Sequence, residues 1–217
     1  MIIKKMETFK ELGQVISAWI VLSFVGSVVE FQSLTFFGFF IMLIVFGLIL
    51  FVYLLAKKLT GYYFSVDEES RIWSLKRYGF RAHQYFNNEV PLGIILPIVV
   101  LVLSLGTIPW YASLQSDLKP RKYKQVRKDG LLSFTNISDR DSAFVSAAGV
   151  FSCLLIAFFA YILNLPLVSR IAIQFSFFNM IPFGQLDGTK LFFGNRSLWM
   201  VLSGVVLVAL AYSFFLV

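Results

Sequence analysis

"VPLGIILPIVVLVLSLGTIPWYASL", residues 90–114, carries no charged side chain, yet Pro91, Pro97, Gly106 and Pro109 divide it into short pieces. Whether it crosses a bilayer or turns back decides how the rest of the chain is threaded. It is long enough to cross, since about 20 apolar residues in a helix span the hydrocarbon core. Its flanks argue against crossing. Arg71, Lys76, Arg77 and Arg81 precede it, and Lys119, Arg121, Lys122, Lys124, Arg127 and Lys128 follow it. Basic loops collect on the cytoplasmic side, so a full crossing would export one of the two clusters. A re-entrant hairpin keeps both inside, provided protein surrounds the bent backbone. A kinked crossing is the alternative, because membrane helices tolerate proline.

The wider composition sets the same frame. Of 217 residues, 58% are hydrophobic, 18% aromatic and 14% charged, against about 25% charged in soluble domains. An integral membrane protein follows, with the length of one polytopic domain over residues 1–217. Charge-free windows at 12–29, 31–56, 90–116, 142–169, 171–186 and 197–217 give six membrane segments. All are expected to be helical, since open strands in lipid leave backbone groups unpaired. The expected fold is all-α, with five transmembrane helices plus a re-entrant hairpin, or six transmembrane helices if window 90–116 crosses. Lys4, Lys5 and Lys10 put the N-terminus inside a cell membrane. The first window reads as a retained span, because no small-residue cleavage site follows it. The net charge of +7 lies beside apolar spans, which suits a lipid bilayer as partner and not nucleic acid. Cys153 is the single cysteine, so no intramolecular disulfide can form.

Chemistry concentrates near the end of window 171–186. "FFNMIPFGQLDGTKLFFGNRSLW", residues 177–199, places Asp187 just after a helix disturbed by Pro182 and Gly184. A carboxylate beside an apolar span is costly and marks function by default. "FNMIPFGQLDG" resembles the segment of the site-2 protease family of intramembrane zinc metalloproteases in which asparagine and proline precede an aspartate-glycine pair. Upstream, "SAFVSAAGVFSCLLIAFF", residues 142–159, is similar to a second family signature through Ala148 and Gly149. Val150 and Cys153 stand where that signature has proline and asparagine.

The resemblance extends over about residues 34–199. It implies that Asp187 occupies the third zinc-ligand position, with Asn179, Pro182, Gly184 and Gly188 near the substrate or partner path. It also aligns "YLLAKKLTG", residues 53–61, with the HExxH helix: Tyr53 for the first histidine, Leu54 for the glutamate and Lys57 for the second histidine. In HExxH, two histidines one turn apart bind zinc and the glutamate serves as general base. Leucine is no base and a charged lysine no ligand, and zinc sites use three or four protein ligands. These positions read as a degenerate metal site with no catalytic residue and no cofactor.

The expectation is a catalytically inactive site-2-protease-like protein, a pseudoprotease that binds or scaffolds a transmembrane protein or peptide without cleaving it. Two alternatives stay open. One is an active intramembrane zinc metalloendopeptidase with atypical ligands, Asp187 among them, acting in regulated proteolysis; the other is a small-solute transporter or channel component. If the scaffold reading holds, Lys57 and Asp187 form an ion pair with the Tyr53 hydroxyl as a second donor. The competing expectation is that Lys57 snorkels to the interface. "HQYFN", residues 83–87, has HExxH spacing but lacks the second ligand, so His83 reads as a surface residue. No GxSxG, phosphate-binding glycine loop or CxxC occurs.

Overall fold

The computed structural model describes residues 2–32, 35–77, 85–120 and 137–216. In chain order the elements are α1 (Ile2–Phe31), α2 (Phe36–Tyr63), β1 (Val66–Ile72), β2 (Leu75–Arg77), β3 (Tyr85–Val90), α3 (Leu92–Leu103) and β4 (Leu114–Pro120), followed by α4 (Asp139–Ile162), α5 (Pro166–Met180), α6 (Asp187–Gly194) and α7 (Arg196–Leu216). Four helical stretches are long and apolar enough to cross a membrane: Phe9–Phe31, Phe36–Tyr63, Asp139–Ile162 and Arg196–Phe214. They give the chain the character of an integral membrane protein. Within α4, 56% of the apolar window is buried against 17% in α7, so α4 is the inner helix of the two.

Window 90–116 doubles back. Its helix α3 has 12 residues, about 18 Å at 1.5 Å per residue against about 30 Å of hydrocarbon. Leu105 (φ 52°) and Gly106 (φ 78°) then turn the chain. The Gly106 N–H donates to the Leu101 carbonyl (2.8 Å) and the Leu105 N–H to that of Val102 (3.2 Å), the paired bonds of a Schellman helix end. Both ends of the window meet at buried Trp73: its N–H donates to Ser113 O (2.9 Å), and its carbonyl accepts from the Gly93 N–H (2.8 Å). Pro97 has no N–H to give the Gly93 carbonyl four residues back. The Ser113 hydroxyl takes that place at 2.7 Å. Gly93 is required here, because a Cβ would overlap the Ser113 carbonyl oxygen.

The expected all-α class needs correction, since four strands lie among the described residues. β1 pairs with β4, and β2 with β3 in antiparallel register, Leu75 opposite Val90 and Arg77 opposite Tyr85. Strands are excluded only where lipid surrounds them. These four lie in the described parts of the basic connections, with Arg71, Lys76, Arg77 and Lys119 within them. The fifth window is also shifted. α5 begins at Pro166, in the first-turn position that suits proline, passes through Arg170 and stops at Met180, two residues before Pro182. The turn into it is tight: Asn164 adopts φ 55° and the Leu165 N–H donates to Ala160 O (2.9 Å).

Contacts divide the chain into two compact units, 1–47 with 70–115, and 48–69 with 116–217. In the first, α1 meets the start of α2, where Trp19 Nε1 donates to Leu43 O (2.8 Å). Phe46 there packs edge-on against Tyr111 at 5.1 Å between ring centroids. In the second, α4, α5, α6 and α7 surround a core of Ala143, Ala147, Val150, Met180, Leu191, Leu202 and Val206. The Trp199 indole N–H donates to Met180 O (3.2 Å), tying α7 to the end of α5.

Gly93→Ala is expected to destabilise the protein by about 1–3 kcal/mol through overpacking. Gly204→Ala, at a helical position with nothing within 4 Å, is expected to be neutral or to stabilise by up to about 1 kcal/mol. Denaturant unfolding in detergent micelles measures both; equal effects would contradict the close approach at Gly93.

Candidate functional site

Tyr53 and Lys57 are one turn apart on α2 and therefore share a face. Asp187 opens α6, where a negative charge also meets the positive end of the helix dipole. These three residues come together, all fully buried, within the unit formed by 48–69 and 116–217. Lys57 Nζ lies 2.8 Å from Asp187 Oδ2 and 3.0 Å from Oδ1. It also donates to the Tyr53 hydroxyl at 3.0 Å. The Tyr53 hydroxyl in turn donates to Asp187 Oδ2, and Ser146 Oγ on α4 donates to Oδ1 at 3.3 Å. The ammonium's three protons, the phenol and both carboxylate oxygens thus all have partners, which is the condition for keeping such groups out of water. Snorkelling is overturned for Lys57, whose side chain is 0% exposed.

α4 reaches this cluster because Gly149 has no side chain. A Cβ there would lie 2.7 Å from Tyr53 Cε2 and 2.9 Å from Lys57 Cδ. From the other side the Phe175 ring meets Tyr53 edge-on at 5.2 Å between centroids. Ser146, the residue that completes the carboxylate's contacts, is not singled out by sequence. Its only signal is its position three residues before Gly149, on the same helix face.

The remaining positions separate. Leu54 is half-buried and Ala148 likewise, while Cys153 is buried on α4. Asn179 is 1% exposed; its Nδ2 donates to Phe175 O (2.9 Å), and its Oδ1 has no partner among the described residues. Gly188 is packed so closely that a Cβ would overlap the Met180 carbonyl. Pro182 and Gly184 (φ 60°) are exposed in the link between α5 and α6. His83 lies outside the described residues.

The donor set does not fit zinc. Asp187 brings the one carboxylate, the ammonium lies against both its oxygens, and among the described residues no three His, Cys, Asp or Glu side chains gather to hold a metal. Burial raises the pKa of the Asp187 carboxyl, but the charges of Lys57 and Lys190 and the hydrogen bonds from Lys57 and Tyr53 outweigh it and hold the group below the usual aspartate range. Burial lowers the Lys190 ammonium from its ordinary value, against the attraction of Asp187.

Breaking a buried pair leaves a lone charge and costs about 3–5 kcal/mol. Asp187→Asn is expected to show a loss of that order in the wild type and a much smaller one in a Lys57→Met background, as read by a double-mutant cycle of unfolding free energies; additive losses would mean the pair is not coupled. Because the folded carboxyl is depressed, its contribution is complete above the ordinary aspartate pKa and disappears as pH falls through the folded value. The melting temperature is therefore expected to lose an acid-side decline in Asp187→Asn that the wild type shows.

Comparison with family models, curated proteins and solved structures finds no match to this chain, so the likeness to site-2 proteases rests on the motif residues quoted above.

Proposed function

We propose that the protein is a catalytically inactive, site-2-protease-like membrane protein that holds a transmembrane helix or extended peptide without cleaving it. The observation that carries this reading is the buried contact between Lys57 and Asp187, 130 residues apart in the chain. In the register of the resemblance these are the second-histidine and aspartate positions of a zinc site. An ammonium there supplies positive charge against the carboxylate without a Lewis acid, and Leu54 supplies no base at the glutamate position.

Threading supports the same reading. We place the N-terminus inside the cell membrane, with α1 leading out and α2 returning. The hairpin built on α3 enters without crossing and α4 leads out. α5, too short to cross alone at 15 residues and about 22 Å, returns together with the 181–186 link, and α7 leads out again, five crossings in all. Two crossings then separate Lys57 from Asp187, which brings both to the cytoplasmic half where they can pair. A full crossing by window 90–116 would make three and part them.

The test uses the full chain in lipid nanodiscs with a labelled transmembrane peptide. The expected result is a bound peptide of unchanged mass, and no stoichiometric zinc by elemental analysis in either the wild type or Asp187→Ala. Stoichiometric zinc that disappears in Asp187→Ala, together with peptide cleavage, would overturn the proposal.

A further inference from the structure

Outside the buried pair, one cleft of about 290 Å³ is lined by Ser116, Asp117, Asp139, Gln185, Thr189 and Lys190, among others. Every lining residue belongs to the unit formed by 48–69 and 116–217. Its size is near the lower end of ligand pockets, which run from about 300 to 1,000 Å³, so it suits one side-chain-sized group. Three chains of observation define what that group is.

The first is charge. Two carboxylates, Asp117 and Asp139, face one ammonium, Lys190, and that ammonium already donates to the Ser116 carbonyl oxygen. The described lining is therefore net acidic, two carboxylates to one ammonium, in a chain of net charge +7. The second is hydrogen bonding. Ser116 is 2% exposed and its Oγ has no partner among the described residues, nor has the buried Thr189 hydroxyl oxygen. A buried hydroxyl without a partner is costly. Both oxygens can accept from an N–H donor brought in by a ligand. With only two carboxylates, and no group of three metal-binding side chains among the described residues, the acceptors suit an organic cation better than a metal ion. A guanidinium has five N–H donors, an ammonium three.

The third is position. Asp139 and Asp141 lie in the first turn of α4, and from Ser142 to Ser169 the chain is charge-free. The cleft thus lies where a membrane-length helix becomes polar, the level at which membrane helices carry flanking lysine and arginine. Gly194 lets the end of α6 close against the Asp139 carbonyl, because a Cβ there would overlap that oxygen.

We propose that this cleft receives the ammonium or guanidinium of a basic residue flanking a partner's transmembrane helix, accepted by Asp117 and Asp139 and by the Ser116 and Thr189 hydroxyls. It rests on the helix-holding reading and gives that reading a basis for selectivity. Charge neutralisation in the cleft sorts partners by their flanks, and the apolar helix contributes binding common to all of them.

The experiment uses the full chain in nanodiscs of uncharged lipid with two labelled peptides, a leucine-alanine span flanked by arginine and the same span flanked by glutamine. Wild type is expected to bind the arginine peptide about tenfold more tightly, the scale of one charge-assisted contact. Asp117→Asn with Asp139→Asn should abolish that preference and leave glutamine-peptide binding unchanged, which also shows that the variant is folded. Asp117→Glu with Asp139→Glu should retain part of the preference. A wild type with no preference, or a preference that survives in the asparagine variant, overturns the proposal. So does spermidine binding that needs the two aspartates while the peptides are not distinguished, which would make a free amine the occupant. If wild type binds neither peptide, the helix-holding reading itself fails first.

Discussion

A lysine ammonium and an aspartate carboxylate, both removed from water, form the constraint on which the second unit is built. Neither charge is tolerable alone in an apolar interior, and their mutual attraction only offsets the loss of hydration when the surrounding hydrogen bonds are complete. That requirement reaches outward through the structure. It calls for the Tyr53 hydroxyl one turn away, for Ser146 from α4, and for a glycine at 149 so that α4 can come close enough to supply it. It also fixes where α6 begins, since Asp187 is its first residue.

The apolar frame was easy to read from sequence because it depends on composition alone. Four of the six charge-free windows became membrane-length helices. The reversal in window 90–116 was legible for the same kind of reason: clustered breakers inside, and basic residues on both sides. The Lys57–Asp187 contact could be anticipated because buried charges need partners and few were available, with the motif register narrowing the choice.

What was hidden follows from physics as well. β1 reads VDEESRI, and its buried positions are Val66, Glu68 and Ser70. A strand whose inner face carries a carboxylate and a hydroxyl lacks the alternating hydrophobic signal by which strands are recognised. β2 has only three residues and offers no period at all. The start of α5 was misplaced because Arg170 breaks the charge-free run, although it lies within the helix. The acidic cleft could not be seen in advance, since Ser116, Asp139 and Thr189 come from three separated elements and have no spacing in common.

The long separation of the ion pair along the chain has a temporal consequence. Lys57 is synthesised 130 residues before Asp187, which at about 5–20 residues per second is an interval of about 7–26 s. During that time α2 is complete and Lys57 lacks the carboxylate against which it is finally buried. A side chain with four methylenes can extend its charge to the lipid headgroups while it waits. The final burial of Lys57 is then a late step of assembly, taken when α4, α5 and the start of α6 have arrived, and the second unit is closed by its last helices rather than its first.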